Sequence, residues 1–249
     1  MSIGSAVGLA VLAAFLLLML LYFFLGRRKR PVLRPLPAFE ALGSAVESTV
    51  EGGKRICLSL GTGSITGPNS APALAGLAVV ARVAAATVVG DRPMLVSAMD
   101  GAVMALAQDT LRGVHERAGK RERAGHGAAL MPGATPYSYA AGVHTLLEAE
   151  GADVHMLIGS FGAEGALAAG FGAQDKMLVI GGADDVRTQA MLYAMVAHPL
   201  IGEELYAGGA YLGSGPMHTA SLRTQDLLRL IIVVGVLLGT ILKTLGVIP

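Results

Sequence analysis

Glycines placed where an apolar run gives way to a helix can cradle a phosphate, because a chain without Cβ lets a ligand reach backbone N–H groups. The stretch Ser59-Leu60-Gly61-Thr62-Gly63-Ser64-Ile65-Thr66-Gly67-Pro68-Asn69-Ser70 has this order: it follows Ile56-Cys57-Leu58 and precedes a long Ala/Leu/Val segment. Gly61, Gly63, Ser64 and Gly67 are therefore candidates for holding an anion. Three further apolar runs end in small or acidic residues, at Met99-Asp100-Gly101, Gly159-Ser160-Phe161-Gly162 and Gly181-Gly182-Ala183-Asp184. In a parallel sheet all such exits open on one carboxyl-end crevice. Asp100, Gly159, Ser160, Gly162, Gly181 and Gly182 thus join the candidate ligand set, with Asp100 where a dinucleotide fold carries its ribose-binding acid.

The spacing falls short of both phosphate motifs. GTGSITG reads G-x-G-x-x-x-G, so its third glycine is one residue late for the dinucleotide fingerprint, and Asp100 lies 33 residues beyond Gly67 rather than about 20. A Walker A loop ends in Gly-Lys-Ser/Thr, whereas this one ends in Gly67-Pro68-Asn69. Pro68 suits an early helical turn, with Asn69 or Ser70 as cap. The competing reading is a set of tight turns in an α/β domain. No catalytic set emerges. Ser160 lies in Gly-Ser-Phe-Gly, which does not match G-x-S-x-G. His115, His126, His144, His155, His198 and His218 are scattered without H-E-x-x-H or a cysteine pair, so no metal is expected. Asp184 and Asp185 read as a helix cap and a first-turn acid rather than a magnesium site.

The elements that would position these residues can be read from periodicity. Strand-like runs at 55–60, 93–98, 154–159 and 177–180 alternate with helix-like runs at 70–87, 100–117, 137–150, 163–170 and 185–196. Continuous apolar strands between helices predict an α/β domain: a mostly parallel, Rossmann-like sheet with helices on both faces. Residues 117–135, charged and then rich in Gly and Ala, read as an exposed, mobile excursion. Tyr206 and Tyr211, set among small residues, offer a packing surface for oligomers.

Composition places the domain at a membrane. Apolar residues make up 53% and charged residues 15% of 249, against about a quarter charged in soluble domains. Residues 3–25 carry no charge and are long enough for a bilayer of ~30 Å at ~1.5 Å per residue. The basic block Arg27-Arg28-Lys29-Arg30 follows that run, which fits an uncleaved anchor rather than a signal peptide. A second run, 227–248, is broken only by Arg229 and Lys243 near its ends, where both can snorkel. With Arg34, Arg223 and Arg229 on the same side as the basic block, the positive-inside rule puts residues 27–226 in the cytoplasm and both termini outside.

The expected organisation is a transmembrane helix (1–26), a basic juxtamembrane stalk with a lead-in helix (27–54), a cytoplasmic α/β domain (55–213), a connector (214–226) and a second transmembrane helix (227–249). Gly4 and Gly8 in one span, and Gly235 and Gly239 in the other, form small-xxx-small pairs that favour close helix packing. Residues 31–226 hold 13 basic and 18 acidic side chains, which offers nucleic acid no long-range attraction. Cys57 is the only cysteine, consistent with a reducing compartment.

Several segments, in order, are similar to a family of bacterial membrane proteins with a domain of unknown function. They are Ser59-Leu60-Gly61 with Thr66-Gly67-Pro68-Asn69-Ser70-Ala71, Pro136-Tyr137-Ser138-Tyr139-Ala140-Ala141-Gly142, Pro199-Leu200-Ile201-Gly202-Glu203-Glu204-Leu205, Gly208-Gly209-Ala210-Tyr211-Leu212-Gly213 and His218-Thr219-Ala220-Ser221-Leu222-Arg223. The resemblance covers roughly 54–226. It implies a bacterial origin and a membrane-attached α/β domain, and it supplies no activity, cofactor or catalytic residue. The expected protein sits in the bacterial inner membrane, with the lipid bilayer and further copies of itself as partners. Its cytoplasmic domain acts as a binding or assembly module. The rival expectation is a membrane-anchored protein or enzyme that takes a nucleotide or phosphorylated metabolite, a small-molecule ligand, in the glycine-rich crevice.

Overall fold

A computed structural model describes residues 3–26, 33–120 and 128–246. The basic block at 27–30, on which the expected orientation leans, lies outside the described residues, as do 121–127 of the excursion. The chain divides into two units, one formed by 1–33 with 213–249 and the other by 34–212.

The first unit is a helix pair. Helix α1 (Ile3–Gly26) and helix α9 (Pro216–Thr244) pack on each other. Helix α9 begins at Pro216, so the residues read as a connector continue without a break into the apolar run. Adding a Cβ at Gly4, Gly8, Gly235 or Gly239 would bring it within 4 Å of nothing beyond the helix's own backbone, so α1 and α9 meet through other positions.

The second unit is a six-stranded sheet, parallel throughout, in the order β3-β2-β1-β4-β5-β6. The strands are β1 (Ile56–Gly61), β2 (Leu95–Ser97), β3 (Ala129–Leu130), β4 (Val154–Ser160), β5 (Leu178–Ala183) and β6 (His198–Leu200). That is the order of the doubly wound dinucleotide fold, with its switch point between β1 and β4. Side chains alternate between two buried clusters because successive Cβ atoms point to opposite faces. Ile56, Leu58, Leu60, Met156 and Ile158 join one core, while Cys57, Leu157 and Val179 join the other. Helices α2 (Pro37–Gly52), α3 (Ser70–Thr87), α4 (Gly101–Arg117) and α8 (Glu204–Tyr211) cover the first face. Helices α5 (Pro136–Glu150), α6 (Ala163–Gln174) and α7 (Val186–Met195) cover the second.

Three elements differ from expectation. Part of the excursion, Ala129–Leu130, pairs with β2 as an edge strand, because a two-residue strand has too little pattern to show. Helix α2, read as a lead-in, contributes Phe39, Leu42 and Ala45 to the core. Tyr211 stacks on Phe39 at 5.1 Å and its hydroxyl donates to Arg34 O at 2.7 Å, so it packs within the unit, while Tyr206 stays 43% exposed.

Among the described residues, three helices are long and apolar enough to cross a membrane: 4–26, Ser70–Thr87 and Pro216–Thr244. Helix α3 owes its hydropathy to a core position, since Ala73, Leu77, Val79, Val80 and Val83 are buried against the sheet. Its close approach rests on Gly76, where a Cβ would stand 2.4 Å from Ile158 O.

Candidate functional site

At the β1/β4 switch point the loops that would flank a ligand are bonded to each other. Thr62 N donates to Ser160 O at 2.8 Å, and Met99 N donates to Gly61 O at 3.0 Å. Ser160 Oγ donates to Asp184 Oδ2 and accepts from Asn69 Nδ2, both at 3.0 Å. Asp184 Oδ1 also accepts from Phe161 N at 3.3 Å. The candidate residues Gly61, Gly63, Gly159 and Ser160 therefore converge, and they converge on one another.

The glycines explain how. Gly61 has φ +75, and a Cβ there would lie 2.1 Å from Ser160 O and 2.9 Å from the Phe161 ring. At Gly159 it would lie 2.0 Å from Leu60 O, where β1 and β4 shift register. At Gly63 the nearest atoms are Asn69 O and Ser160 Cβ, both 3.1 Å away. Gly181 and Gly182 sit inside β5, because that strand runs on to Ala183, and they face Leu192 and Leu200. Gly67 and Ser64 lie apart as well: Gly67 has no atom within 4 Å of an added Cβ, and Ser64 is half-buried, its hydroxyl against Thr66. The glycines admit neighbouring chain where a dinucleotide fold would admit pyrophosphate.

Three of the helix amino termini at this edge are also occupied by carboxylates. Asp100 accepts from Val103 N at 2.9 Å and caps α4. Glu164, buried, accepts from Gly162 N at 2.7 Å over the start of α6. Asp185 caps α7 through Arg187 N. Helix α3 has no side-chain cap, but Ser70 N bonds Gly67 O and Pro72 has no N–H to offer. The loops leaving the six strands carry Asp100, Asp184, Asp185 and Glu203, with no lysine or arginine. A polyphosphate would meet carboxylates there, not the cations that normally balance it.

A profile described as a domain of unknown function (DUF6754) matches residues 4–248. The chain belongs to the DUF6754 family. No curated protein and no solved structure matches it.

Beneath the crevice of this DUF6754 member runs a buried polar chain that spacing alone does not reveal. His155 Nε2 lies 2.9 Å from Ser59 Oγ, Ser59 Oγ 2.9 Å from Ser97 Oγ, and Ser97 Oγ 2.9 Å from Tyr139 OH. Tyr139 OH accepts from Gly61 N at 3.3 Å, so the chain ends on the loop glycine itself. Ser59 and Ser97 are register partners on β1 and β2, and Tyr139 reaches them from α5. The available signal was a polar residue interrupting each of three apolar strand runs. Burial pushes the Tyr139 hydroxyl up to about 12, with hydrogen bonds opposing it, and holds it neutral. Burial lowers the His155 imidazole to about 3. Two neutral groups in a dry layer give a rigid support, with no proton to exchange near neutral pH.

That support carries a pH signature. Unfolded, the imidazole titrates near 6.5; folded, near 3. Between these values the unfolded chain binds more protons, so stability present above pH 6.5 is lost as pH falls, with a slope from this group of up to about 1.4 kcal/mol per pH unit. Urea midpoints of the full chain in detergent, measured from pH 7.5 to 5, should show this slope. His155→Gln should flatten it, and equal slopes in both proteins would exclude His155 as the cause.

Proposed function

We propose that the chain is a two-span bacterial inner-membrane protein whose cytoplasmic α/β domain works as a self-associating binding or assembly module. The observation that carries this reading is the carboxyl-edge crevice, where the domain's own carboxylates take donors at the starts of α4, α6 and α7 and its own chain packs against Gly61, Gly63 and Gly159. A domain closed there acts through its surface. Self-association is supported by the small-xxx-small glycines, which α1 and α9 do not use against each other. It is also supported by α7, which exposes Val186, Tyr193 and Met195. Helices α1 and α9 supply the two spans, and α3 belongs to the domain core.

Crosslinking in membranes together with native mass spectrometry in detergent tests this, with an oligomer expected. A monomer by both measurements would overturn it. Orientation is tested by Arg187→Cys, an exposed position, with an impermeant maleimide on intact cells. Cys57 stays silent, since it is buried and its thiol is pushed up to about 12. Labelling only after lysis is expected.

One observation favours a second reading. The strand order β3-β2-β1-β4-β5-β6, with a helix amino terminus at α3 that lacks a side-chain cap, is the frame of a nucleotide site. Thermal shifts of the full chain against nucleotides and phosphorylated metabolites separate the two. A shift that Gly63→Val removes would favour the second reading, and no shift across the panel favours the first.

A further inference from the structure

Three ligand-type side chains far apart in sequence meet beside the ends of α5 and α6, at the amino-terminal edge of the sheet and away from the crevice. His144 and Glu148 stand one turn apart on α5, and so share a face. Asp175 is the residue that ends α6. His144 Nε2 lies 3.7 Å from Glu148 Oε1, and His144 Nδ1 lies 4.0 Å from Asp175 Oδ2. One ligand atom from each residue falls within 4.8 Å of the other two.

The ring is held in place independently of these carboxylates. It stacks on Phe171 of α6 with centroids 4.3 Å apart and planes inclined by 21°. Its Nδ1 is shut off from solvent and has no hydrogen-bond partner among the described residues, an uncompensated burial that a bound cation would relieve. Glu148 and Asp175 are exposed.

We propose that His144, Glu148 and Asp175 form a binding site for a divalent first-row cation of the zinc class, clamping α5 to α6. Ligand atoms at 2.0–2.2 Å around a tetrahedral ion lie about 3.3–3.6 Å apart, so one imidazole nitrogen and one oxygen of each carboxylate, all within 4.8 Å, need to close by little more than about an ångström. Two carboxylates with a neutral imidazole balance a double positive charge. The imidazole nitrogen favours zinc or cobalt over calcium and magnesium, which take all-oxygen shells. Three protein ligands leave a fourth position for water. Asp175 also lines a surface cavity of about 590 Å³ with Lys54, Asp153 and Lys176, so solvent reaches this residue from that side.

The test uses the full chain in detergent, without a histidine tag and stripped with EDTA. Calorimetric titration with Zn²⁺ and visible absorption of bound Co²⁺ should show one equivalent per chain. His144→Ala and Asp175→Asn should each weaken Zn²⁺ binding at least tenfold, and a Zn²⁺-induced rise in melting temperature should vanish in both. Absence of saturable binding by the native sequence would overturn the proposal. So would unchanged affinity in both variants, or tighter binding of Mg²⁺ than of Zn²⁺.

Discussion

Gly61→Ala is expected to destabilise the α/β unit by about 3–5 kcal/mol, a large share of the roughly 5–15 kcal/mol that holds a typical domain folded. Two costs add. The residue sits at φ +75, where an L side chain pays about 1–2 kcal/mol. The new Cβ would also stand 2.1 Å from Ser160 O, a backbone atom bonded to Thr62 N that cannot retreat without opening the switch point. Overpacking of this kind costs about 1–3 kcal/mol and sometimes more. Gly67→Ala, six residues on in the same loop, should change stability by less than about 0.5 kcal/mol, because nothing lies near its Cβ and its φ is not positive. Urea melts of both variants in detergent give the contrast directly. Comparable losses at the two positions would mean that the loop is held by something other than contact between β1 and β4.

Tyr139→Ala should cost about 4 kcal/mol or more. The ring is fully buried, and truncating a core aromatic costs about 3–5 kcal/mol through lost transfer energy and the cavity left behind. Tyr139→Phe separates the hydroxyl from the ring. It fills the space but strands Gly61 N in a dry layer and leaves the Ser97 hydroxyl with Ser59 alone, at about 1–3 kcal/mol. The phenylalanine variant should therefore lie between native and alanine in urea midpoint. If it matches native, Tyr139 serves as packing alone and the polar chain from His155 to Gly61 does not support the loop.

The site was legible in part. GTGSITG was found as a strand-to-helix turn because apolar runs and glycines mark such boundaries locally, and β1 does end at Gly61 with α3 starting at Ser70. What fills the turn was not legible. Ser160 O and Asp184 approach it from β4 and β5, about a hundred residues away. The packing glycine of α3 is Gly76, inside the helix, where the loop pattern gives no hint of it. Helix α8 was missed because Gly208 and Gly209 lower its propensity by about 1 kcal/mol each. Packing overrides this: a Cβ at Gly208 would press on Val79 at 2.6 Å, so the glycine is what lets α8 lie against α3. Edge strand β6, three residues with Pro199 at its centre, exists only by pairing with β5.

Sequence alone determined the alternation of strands and helices, the parallel α/β class and the two terminal apolar helices, since each follows from the spacing and length of apolar runs within a single segment. Tertiary structure decided the rest: the strand order, the pairing of β3 and β6, the packing of the crevice loops on one another, and the meeting of His144 with Asp175. All of these join residues distant in sequence, and no local pattern encodes which distant surface a segment will meet.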